Sequence, residues 1–283
     1  MGYMRFACRA IPALLIARTA MPQSKPGVAF DQTMVRITAA RGRTDTTTTV
    51  MHTTSASSDG RIDVEKGRFP NMGPFSAGSH AIMIIRGGGK EISFLNPDEK
   101  QYLSIKPIAM MEGVQKMLEG MGGSMSIDAS GTSVTLDSIG PGPAIDGHPT
   151  LTYRLTTVMK MTISMMGSRQ VVDNQSTQEI QTATDLGDFS DATGMNPFAE
   201  LSESMGFTKG FFDQIVAMRR KMHGLPLRTE VHMTSSANGV KHTIVQTIET
   251  RNVKRVPVSE SLFAIPADYK PVTMPGMQGM PAR

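Results

Sequence analysis

The sequence predicts an α+β fold: a single curved antiparallel β-sheet, shaped as a half-open barrel, with helices covering its concave face. The strongest observation is the segment 149–166 (PTLTYRLTTVMKMTISMM), in which odd positions are mostly apolar and even positions mostly polar. Side chains of a strand alternate between faces, so this pattern predicts one strand with an apolar and a solvated face. Its sixteen alternating residues span about 50 Å at roughly 3.3 Å each. Strands longer than ~10 residues usually bend or carry a bulge, so we expect a curved sheet.

Turn signals in the N-terminal half, the second observation, predict the first strands of the sheet. Short β-branched or alternating segments are separated by turn sequences, among them Asp59–Gly60, Gly87–Gly89 and Asn96–Glu99. The Gly-Gly-Gly-Lys sequence predicts a turn and not a phosphate loop, because Glu91 replaces the Ser or Thr that such a loop needs and a strand follows. The predicted strands are 28–38, 45–55, 61–65, 80–86, 90–95 and 100–106.

Helical spacing of apolar residues, the third observation, predicts the cover of the sheet. Residues 107–121 begin with a proline and form an amphipathic helix of about four turns. Residues 197–206 and 208–222 also look helical. The basic residues 219–221 (RRK) are interpreted as charges that favour the C-terminal end of the last helix, which Gly224 can terminate. The apolar stripe of that helix consists of Phe211, Phe212, Ile215, Met218 and Met222.

The C-terminal half contains the long strand and its hairpin partner. Residues 124–139 alternate as a strand does, and residues 140–147 (GPGPAIDG) predict a rigid loop that leads into the long strand. Gly167–Ser168 suits a two-residue type II′ loop after that strand. Such a loop places Leu155 opposite Ile180 on the partner strand.

A last hairpin has the clearest turn signal of the chain. Asn238–Gly239 suits a type I′ loop, and the register across it places Arg228 opposite Glu249. The same register puts His232 and His242 on opposite faces, which argues against a metal ion shared by these two residues. No internal repeat and no linker to a second domain is present, so residues 26–270 predict one half-barrel domain and residues 271–283 a disordered tail.

The basic charge of the chain is concentrated at its N-terminus. The first 25 residues contain four Lys or Arg and no acid, and the remaining residues carry equal numbers of basic and acidic side chains. This balance argues against a nucleic-acid partner. Residues 1–25 fit either a signal peptide, with Arg5 and Arg9 before a short apolar run, or a disordered basic tail. The first interpretation predicts a protein of the periplasm or cell envelope, peripheral to the membrane at most.

The sequence has no recognisable catalytic or metal-binding motif. Gly-x-Ser-x-Gly, His-Glu-x-x-His, the dinucleotide glycine pattern and Cys-x-x-Cys are all missing, and Cys8 is the single cysteine. We therefore expect no enzyme activity, no cofactor and no metal site, although a hydrolase assembled from distant residues stays open. Asp185, Asp188 and Asp191 recur every third residue, but turn and cap positions explain them better than a cation site.

Methionine is unusually abundant, with 24 residues in the chain. Three interpretations stay open. Thioethers can bind copper(I), methionine can replace leucine in the core, and flexible methionine side chains can line a surface that adapts to varied apolar ligands. The last interpretation agrees with an apolar concave face.

Several short segments occur in an order that resembles a known envelope family. FLNPDEKQYLSI (94–105) precedes the first helical segment, and IDGHPTLTYRL (145–155) enters the long strand. EIQTATDLGDF (179–189), GLPLR (224–228) and SLFAIPADYK (261–270) follow. Together they resemble the family called domain of unknown function 4412, which is similar in layout to the LolA-type lipoprotein carriers. The resemblance implies a half-open barrel whose understood relatives bind acyl chains, although a fold does not by itself assign a function.

The expected function is that of a non-enzymatic exported protein that holds a lipid, a lipoprotein acyl chain or another hydrophobic ligand between the sheet and its helices. The alternative is a structural or protein-interaction module of the same fold without a ligand cavity. The residues expected to line the ligand site are Leu151, Tyr153, Leu155, Met159, Met161, Ile163, Met111, Met117, Phe211 and Ile215.

Overall fold

The computed structural model describes most of the chain between residues 24 and 272. Thirteen strands and two short 3-10 helices, Gly87–Gly89 and Glu260–Phe263, account for most of the described residues. The described residues are 24–67, 75, 78, 80–107, 109, 125–128, 131–165, 168–186, 214–215, 217–237 and 240–272. The strands are β1 Ser24–Ala40, β2 Arg43–Ala56, β3 Asp59–Lys66, β4 Ile82–Arg86, β5 Glu91–Asn96, β6 Gln101–Ile105, β7 Met125–Asp128, β8 Ser133–Ile145, β9 His148–Met165, β10 Ser168–Ala183, β11 Leu225–Ala237, β12 Val240–Ser259 and β13 Lys270–Pro271.

All thirteen strands belong to one sheet. Its order is β13-β6-β5-β4-β3-β2-β1-β12-β11-β10-β9-β7, and β8 also pairs with β9, alongside β7. Every pairing is antiparallel except the short parallel contact of β13 with β6. The first long strand, β1, lies beside the last long strand, β12, and this pair joins the two halves of the sheet.

The expectation of an α+β fold with helices over a concave face is wrong. Within the described part of the chain, the only residues in α-helical conformation are 107, 109, 214–215 and 217–219. The strands are longer than their local sequence patterns indicate. Where a turn-like sequence lies beside a long neighbouring strand, the two backbones still hydrogen-bond to each other and the strand continues. Residues 140–145, expected to form a loop, continue β8, where Pro141 pairs with Leu151. Most of 107–121 and 197–206, and the beginning of 208–222, lie outside the described residues.

The long strand is confirmed, and its hairpin register differs from the prediction by two residues. Met165 pairs with Ser168, so Leu155 lies opposite Gln178, and Ile180 lies opposite Tyr153. A shift of two residues keeps every side chain on its predicted face, whereas a shift of one would reverse them all.

The register of the last hairpin is confirmed. Arg228 pairs with Glu249, as the Asn-Gly turn signal predicts. His232 pairs with Val245, and His242 pairs with Ser235. Because side chains alternate along each strand, the two histidines lie on opposite faces, as expected.

The paired rows of the sheet define a surface that we call the Tyr153 face. Residues that lie directly opposite each other on neighbouring strands point to the same side of a sheet. One row of this face contains Tyr153, Ile180, Thr229, Ile248 and Met34. The next row contains Leu155, Gln178, Val231, Gln246 and Arg36.

Four apolar clusters form the core of the described residues. Val134, Leu155 and Ile180 form one on the Tyr153 face, and Phe30, Leu225 and their neighbours form a second near the ends of β10 and β11. The other two lie around β2 to β6, one of them against the 3-10 helix at 260–263. No helix among the described residues is long and apolar enough to cross a bilayer.

Candidate ligand-binding cavity

A cavity of about 360 Å³ lies on the Tyr153 face, over β1, β12, β11 and β10. Residues 219–226, which enter β11, form one side of it. Its apolar lining residues are Phe30, Ile180, Met222, Leu225, Pro226, Val231 and Ile248. Its polar lining residues are Gln32, Gln178, Arg219, Thr229, Gln246 and Thr250.

The floor of the cavity has one fixed amide and two unbonded ones. Gln32 is held in place, because its Nε2 donates to Thr250 Oγ1 at 3.2 Å and its Oε1 accepts from Thr53 Oγ1 at 3.4 Å. Gln178 and Gln246 lie on either side of Val231 in one row of the Tyr153 face. Neither side-chain amide has a hydrogen-bond partner within the part of the chain that the structure describes.

The side of the cavity is an apolar contact between residues 215–222 and the sheet. Ile215, Met218 and Met222 pack on the cluster that contains Leu155 and Ile180. Ile215 and Met218 are helical and lie three residues apart on one face, and Met222 follows in a turn where its backbone N–H donates to the Arg219 carbonyl at 3.0 Å. The backbone N–H of the following residue, His223, donates to the Tyr153 hydroxyl at 3.5 Å. Together these contacts hold the segment over β9 and β10.

Gly224 connects this segment to β11. Its φ is +89°, a left-handed conformation that glycine adopts without steric cost. A Cβ at this position would collide with the backbone carbonyl of Ala183 at the end of β10. The close approach of the two backbones lets Met222 and Leu225, on either side of this glycine, both reach the cavity.

Arg219 introduces a positive charge into this apolar surface. It lies four residues after Ile215 and three before Met222, so helical geometry places it beside the residues that pack on the sheet. Its Nε is buried and has no hydrogen-bond partner in the described residues. Burial lowers the pKa of the Arg219 guanidinium below its usual value, but an arginine stays protonated in a protein. No carboxylate occurs among the described residues that line the cavity.

A second arginine lies on the same face. Arg36 of β1 pairs directly with Gln246 of β12, so the two side chains point to the same side of the sheet. The Nε of Arg36 is also buried without a hydrogen-bond partner in the described part of the chain. Two arginines whose Nε atoms are buried without a partner among the described residues therefore lie on the Tyr153 face, near the amides of Gln178 and Gln246.

Sequence reasoning expected a ligand site along β9, and the structure places those residues at one side of the cavity. Tyr153 and Leu155 are buried, and Leu151, Met159, Met161 and Ile215 are partly buried. Ile163 belongs to β9, but its side chain lies outside the description, and Met111, Met117 and Phe211 lie outside the described residues altogether. Among the described residues, none of the ten predicted lining residues lines the cavity itself. Their contact with a ligand therefore stays a prediction.

The residues that sequence reasoning missed come from β1, β10, β11 and β12 and from the segment before β11, which contributes Arg219 and Met222. The sequence interpretation treated Arg219 as an end charge together with Arg220 and Lys221, yet its spacing from Ile215 already indicates the apolar side of the segment. Gln178 and Gln246 come to lie on either side of Val231 only through the pairing of three strands, β10, β11 and β12, and no local pattern reports the pairing of β10 with β11.

A second concave region is shallower than the cavity on the Tyr153 face. It has a volume of about 490 Å³ and lies at the start of β1, between the ends of β2 and β12. Much of its lining is exposed, including Lys25, Pro26, Ser57 and Pro257. It contains no buried charge of the kind that Arg219 presents, so we place the candidate site in the first cavity.

Titratable side chains elsewhere form surface pairs. His148 Nδ1 lies 2.9 Å from Asp185 Oδ2, and the hydrogen bond lowers the pKa of that carboxyl. No group of three or more His, Cys, Asp or Glu side chains that could hold a metal ion occurs within the described ranges. Asp188 and Asp191 lie outside those ranges, so the cation alternative stays untested.

No protein-family model matches the chain, and no curated protein matches it in sequence. The resemblance to domain of unknown function 4412 therefore stays a prediction. Solved structures that are similar to this chain include PNGF-II. The match covers 88% of this chain, with 13% sequence identity and a TM-score of 0.27. This chain spans only 32% of the length of PNGF-II.

Two smaller proteins are similar to the chain over most of both lengths. A DUF1329 family protein from Desulfovibrio piger is 11% identical, with 85% of this chain and 90% of that chain covered and a TM-score of 0.28. A putative outer membrane lipoprotein-sorting protein domain from Vibrio parahaemolyticus is 8% identical, with 84% and 89% covered and a TM-score of 0.26.

Proposed function

We propose that this protein is a non-enzymatic, exported envelope protein that binds a hydrophobic ligand, a lipid or lipoprotein acyl chain, in the cavity on the Tyr153 face. The observation that carries the proposal is the cavity itself, with seven apolar residues among its lining. Its volume of about 360 Å³ falls within the ~300–1,000 Å³ typical of small-ligand sites. The basic, then apolar, N-terminal sequence supports export.

The cavity also separates this proposal from its alternative. A structural or interaction module has no need of a void, and protein interiors are otherwise packed as densely as organic crystals. Leaving apolar side chains such as Ile180, Val231 and Ile248 beside a void forfeits packing energy. A bound apolar ligand would restore those contacts.

Native mass spectrometry of protein purified from the cell envelope without detergent tests the proposal. The expected result is a folded species heavier than the polypeptide, whose extra mass is recovered as an acyl lipid by organic extraction. A parallel titration of extracted protein with N-phenyl-1-naphthylamine, a neutral apolar fluorophore, should show saturable binding. Protein that carries no lipid and takes up no fluorophore would refute the proposal and favour the interaction module.

A further inference from the structure

We propose that the ligand is a single-chain amphiphile with an anionic head group, and that Arg219 is the residue that recognises the head group. This inference rests on the proposed function, since it assigns the class of ligand that the same cavity takes. Its starting observation is a guanidinium whose Nε is buried at the cavity without a hydrogen-bond partner in the described residues.

The charge balance of the site favours an anion. Removing a guanidinium from water is costly unless an opposite charge compensates it. Asp and Glu are missing from the described residues of the cavity lining, so none of these residues supplies a compensating charge. A carboxylate or phosphate on the ligand would supply it and would accept paired N–H bonds from the fork of the guanidinium.

The surroundings of Arg219 extend this preference. Gln178 and Gln246 present amides on the floor of the cavity that no described residue hydrogen-bonds, and Arg36 lies directly across from Gln246. Amide N–H groups donate to an anion, and the second guanidinium adds positive charge on the same face. The cavity therefore offers polar groups to a head group beside the apolar side chains of its lining.

The apolar residues of the lining explain why the ligand is an amphiphile and not a free anion. Phe30, Ile180, Leu225 and Ile248 offer nothing to a small inorganic ion, but they would bury a hydrocarbon chain. The cavity of about 360 Å³ suits one chain better than the several chains of a large lipid.

Three ligands separate the possibilities in competition with N-phenyl-1-naphthylamine: decanoate, 1-decanol and acetate. Decanoate should displace the fluorophore at a concentration about tenfold lower than decanol, although its charged head group is the more costly to desolvate. Acetate should displace nothing. Equal affinity for decanol and decanoate in the wild-type protein would overturn the inference while leaving the proposed function intact, and tight acetate binding would indicate a free-anion site instead. Failure of the wild-type protein to bind either ten-carbon ligand would refute the proposed function as well.

Two substitutions locate the effect. Arg219→Met should weaken decanoate binding about tenfold or more and leave decanol binding unchanged, because only the anion loses its partner. Arg220→Met is the matched control, since Arg220 is the next residue and is exposed, and its decanoate affinity should stay at the wild-type value. If Arg219→Met loses as much affinity for decanol as for decanoate, or if neither affinity changes, the role of Arg219 would be contradicted. If Arg219→Met does not fold, the comparison of ligands in the wild-type protein decides the inference.

Discussion

The Asp146 carboxylate accepts a hydrogen bond from the backbone N–H of Asn252 at 3.0 Å. Asp146 lies in the turn before β9 and Asn252 lies in β12, and the strands β10 and β11 separate β9 from β12 in the sheet. In a flat sheet, three strand spacings of ~4.8 Å would keep β9 and β12 about 14 Å apart. The turn between β8 and β9 therefore reaches across the ends of β10 and β11. Asn252 also donates from Nδ2 to Asp31 Oδ2 at 2.8 Å, which ties β1 to the same point. The sheet is curled at this end, beneath the cavity.

Removing the Asp146 acceptor should loosen this curl. Asp146→Gly deletes the carboxylate and suits the left-handed φ of +52° at this position. We expect the free energy of unfolding to fall by about 1 kcal/mol, measured by urea denaturation. Asp146→Asn keeps an acceptor oxygen and tolerates the same φ, so its loss should be smaller. Equal losses in the two variants would show that the hydrogen bond does not stabilise the curl.

Gly224 should tolerate a methyl group far less well than another glycine of similar conformation. Gly224→Ala brings a Cβ against the Ala183 carbonyl, whereas Gly147, with a φ of +82°, has no atom within 4 Å of the corresponding position. Both variants suffer the strain of a left-handed alanine, of about 1 kcal/mol. We expect Gly224→Ala to lower the free energy of unfolding by ~1–3 kcal/mol more than Gly147→Ala in chemical denaturation. Matching losses would indicate that the backbones do not approach so closely.

Among the leucines of β9, Leu155 should be the one whose replacement lowers the free energy of unfolding most. It is 0% exposed and belongs to the cluster of Val134 and Ile180, which the residues 215–222 cover. Leu155→Ala should cost about 2–5 kcal/mol of unfolding free energy, because a cavity replaces a buried side chain. Val158→Ala is the control on the opposite face of the same strand, where the side chain is 37% exposed, and should cost less than about 1 kcal/mol. Comparable costs would mean that β9 presents its other face to the core.

The Asp31 carboxylate should make stability depend on pH in acid. Hydrogen bonds from His52 and Asn252 lower the pKa of Asp31 below its usual 3.8. A lowered folded-state pKa gives stability that is present above pH 3.8 and is lost as the pH falls through the folded-state value. Asp31→Asn should therefore reduce the melting temperature at pH 7 and match the wild type at the lowest pH where both are folded.

The matched control for this pH dependence is Asp45→Asn. Asp45 is exposed on β2 and its carboxylate makes no hydrogen bond within the described residues, so its replacement should change the melting temperature little at any pH. An Asp31→Asn deficit that persists undiminished in acid would show that the carboxylate charge is not its cause.

The sheet was largely predictable because strand alternation and turn chemistry are local properties. The period of two along β9 and the Asn-Gly signal before β12 are present within single segments of the sequence, and both predictions are confirmed by the pairing. The error in the first hairpin came from the choice of turn residues, since Met165 pairs with Ser168 across residues 166–167. Strand ends were less predictable, because Gly140–Ile145 extend β8 only through pairing with β9.

The candidate site was only partly predictable because it depends on register between distant strands. The alternation along β9 predicted the apolar face on which Tyr153 and Leu155 are buried, although neither residue lines the cavity. Val231 and Gln246 pair across the predicted last hairpin, but no local pattern reveals that Gln32 of β1 lies beside that hairpin. The position of Arg219 beside Ile215 was visible in the helical spacing, but its burial follows from a tertiary contact with β9 and β10.

The central claim is that a hydrophobic ligand occupies the cavity on the Tyr153 face, and filling the cavity tests it most directly. Val231→Trp projects an indole into the cavity, whereas His232→Trp places the same group on the opposite, exposed face of β11. The chain has no other tryptophan, so indole emission reports directly whether each substituted side chain is buried in a folded protein. Blue-shifted emission is expected for the first variant and water-like emission for the second.

The deciding measurement is the affinity of both variants for N-phenyl-1-naphthylamine, compared with the wild type. The account predicts that His232→Trp binds as the wild type does and that Val231→Trp, folded and with a buried indole, binds at least about tenfold more weakly. Wild-type affinity in a folded Val231→Trp variant would contradict it, because the ligand would then lie somewhere other than this cavity.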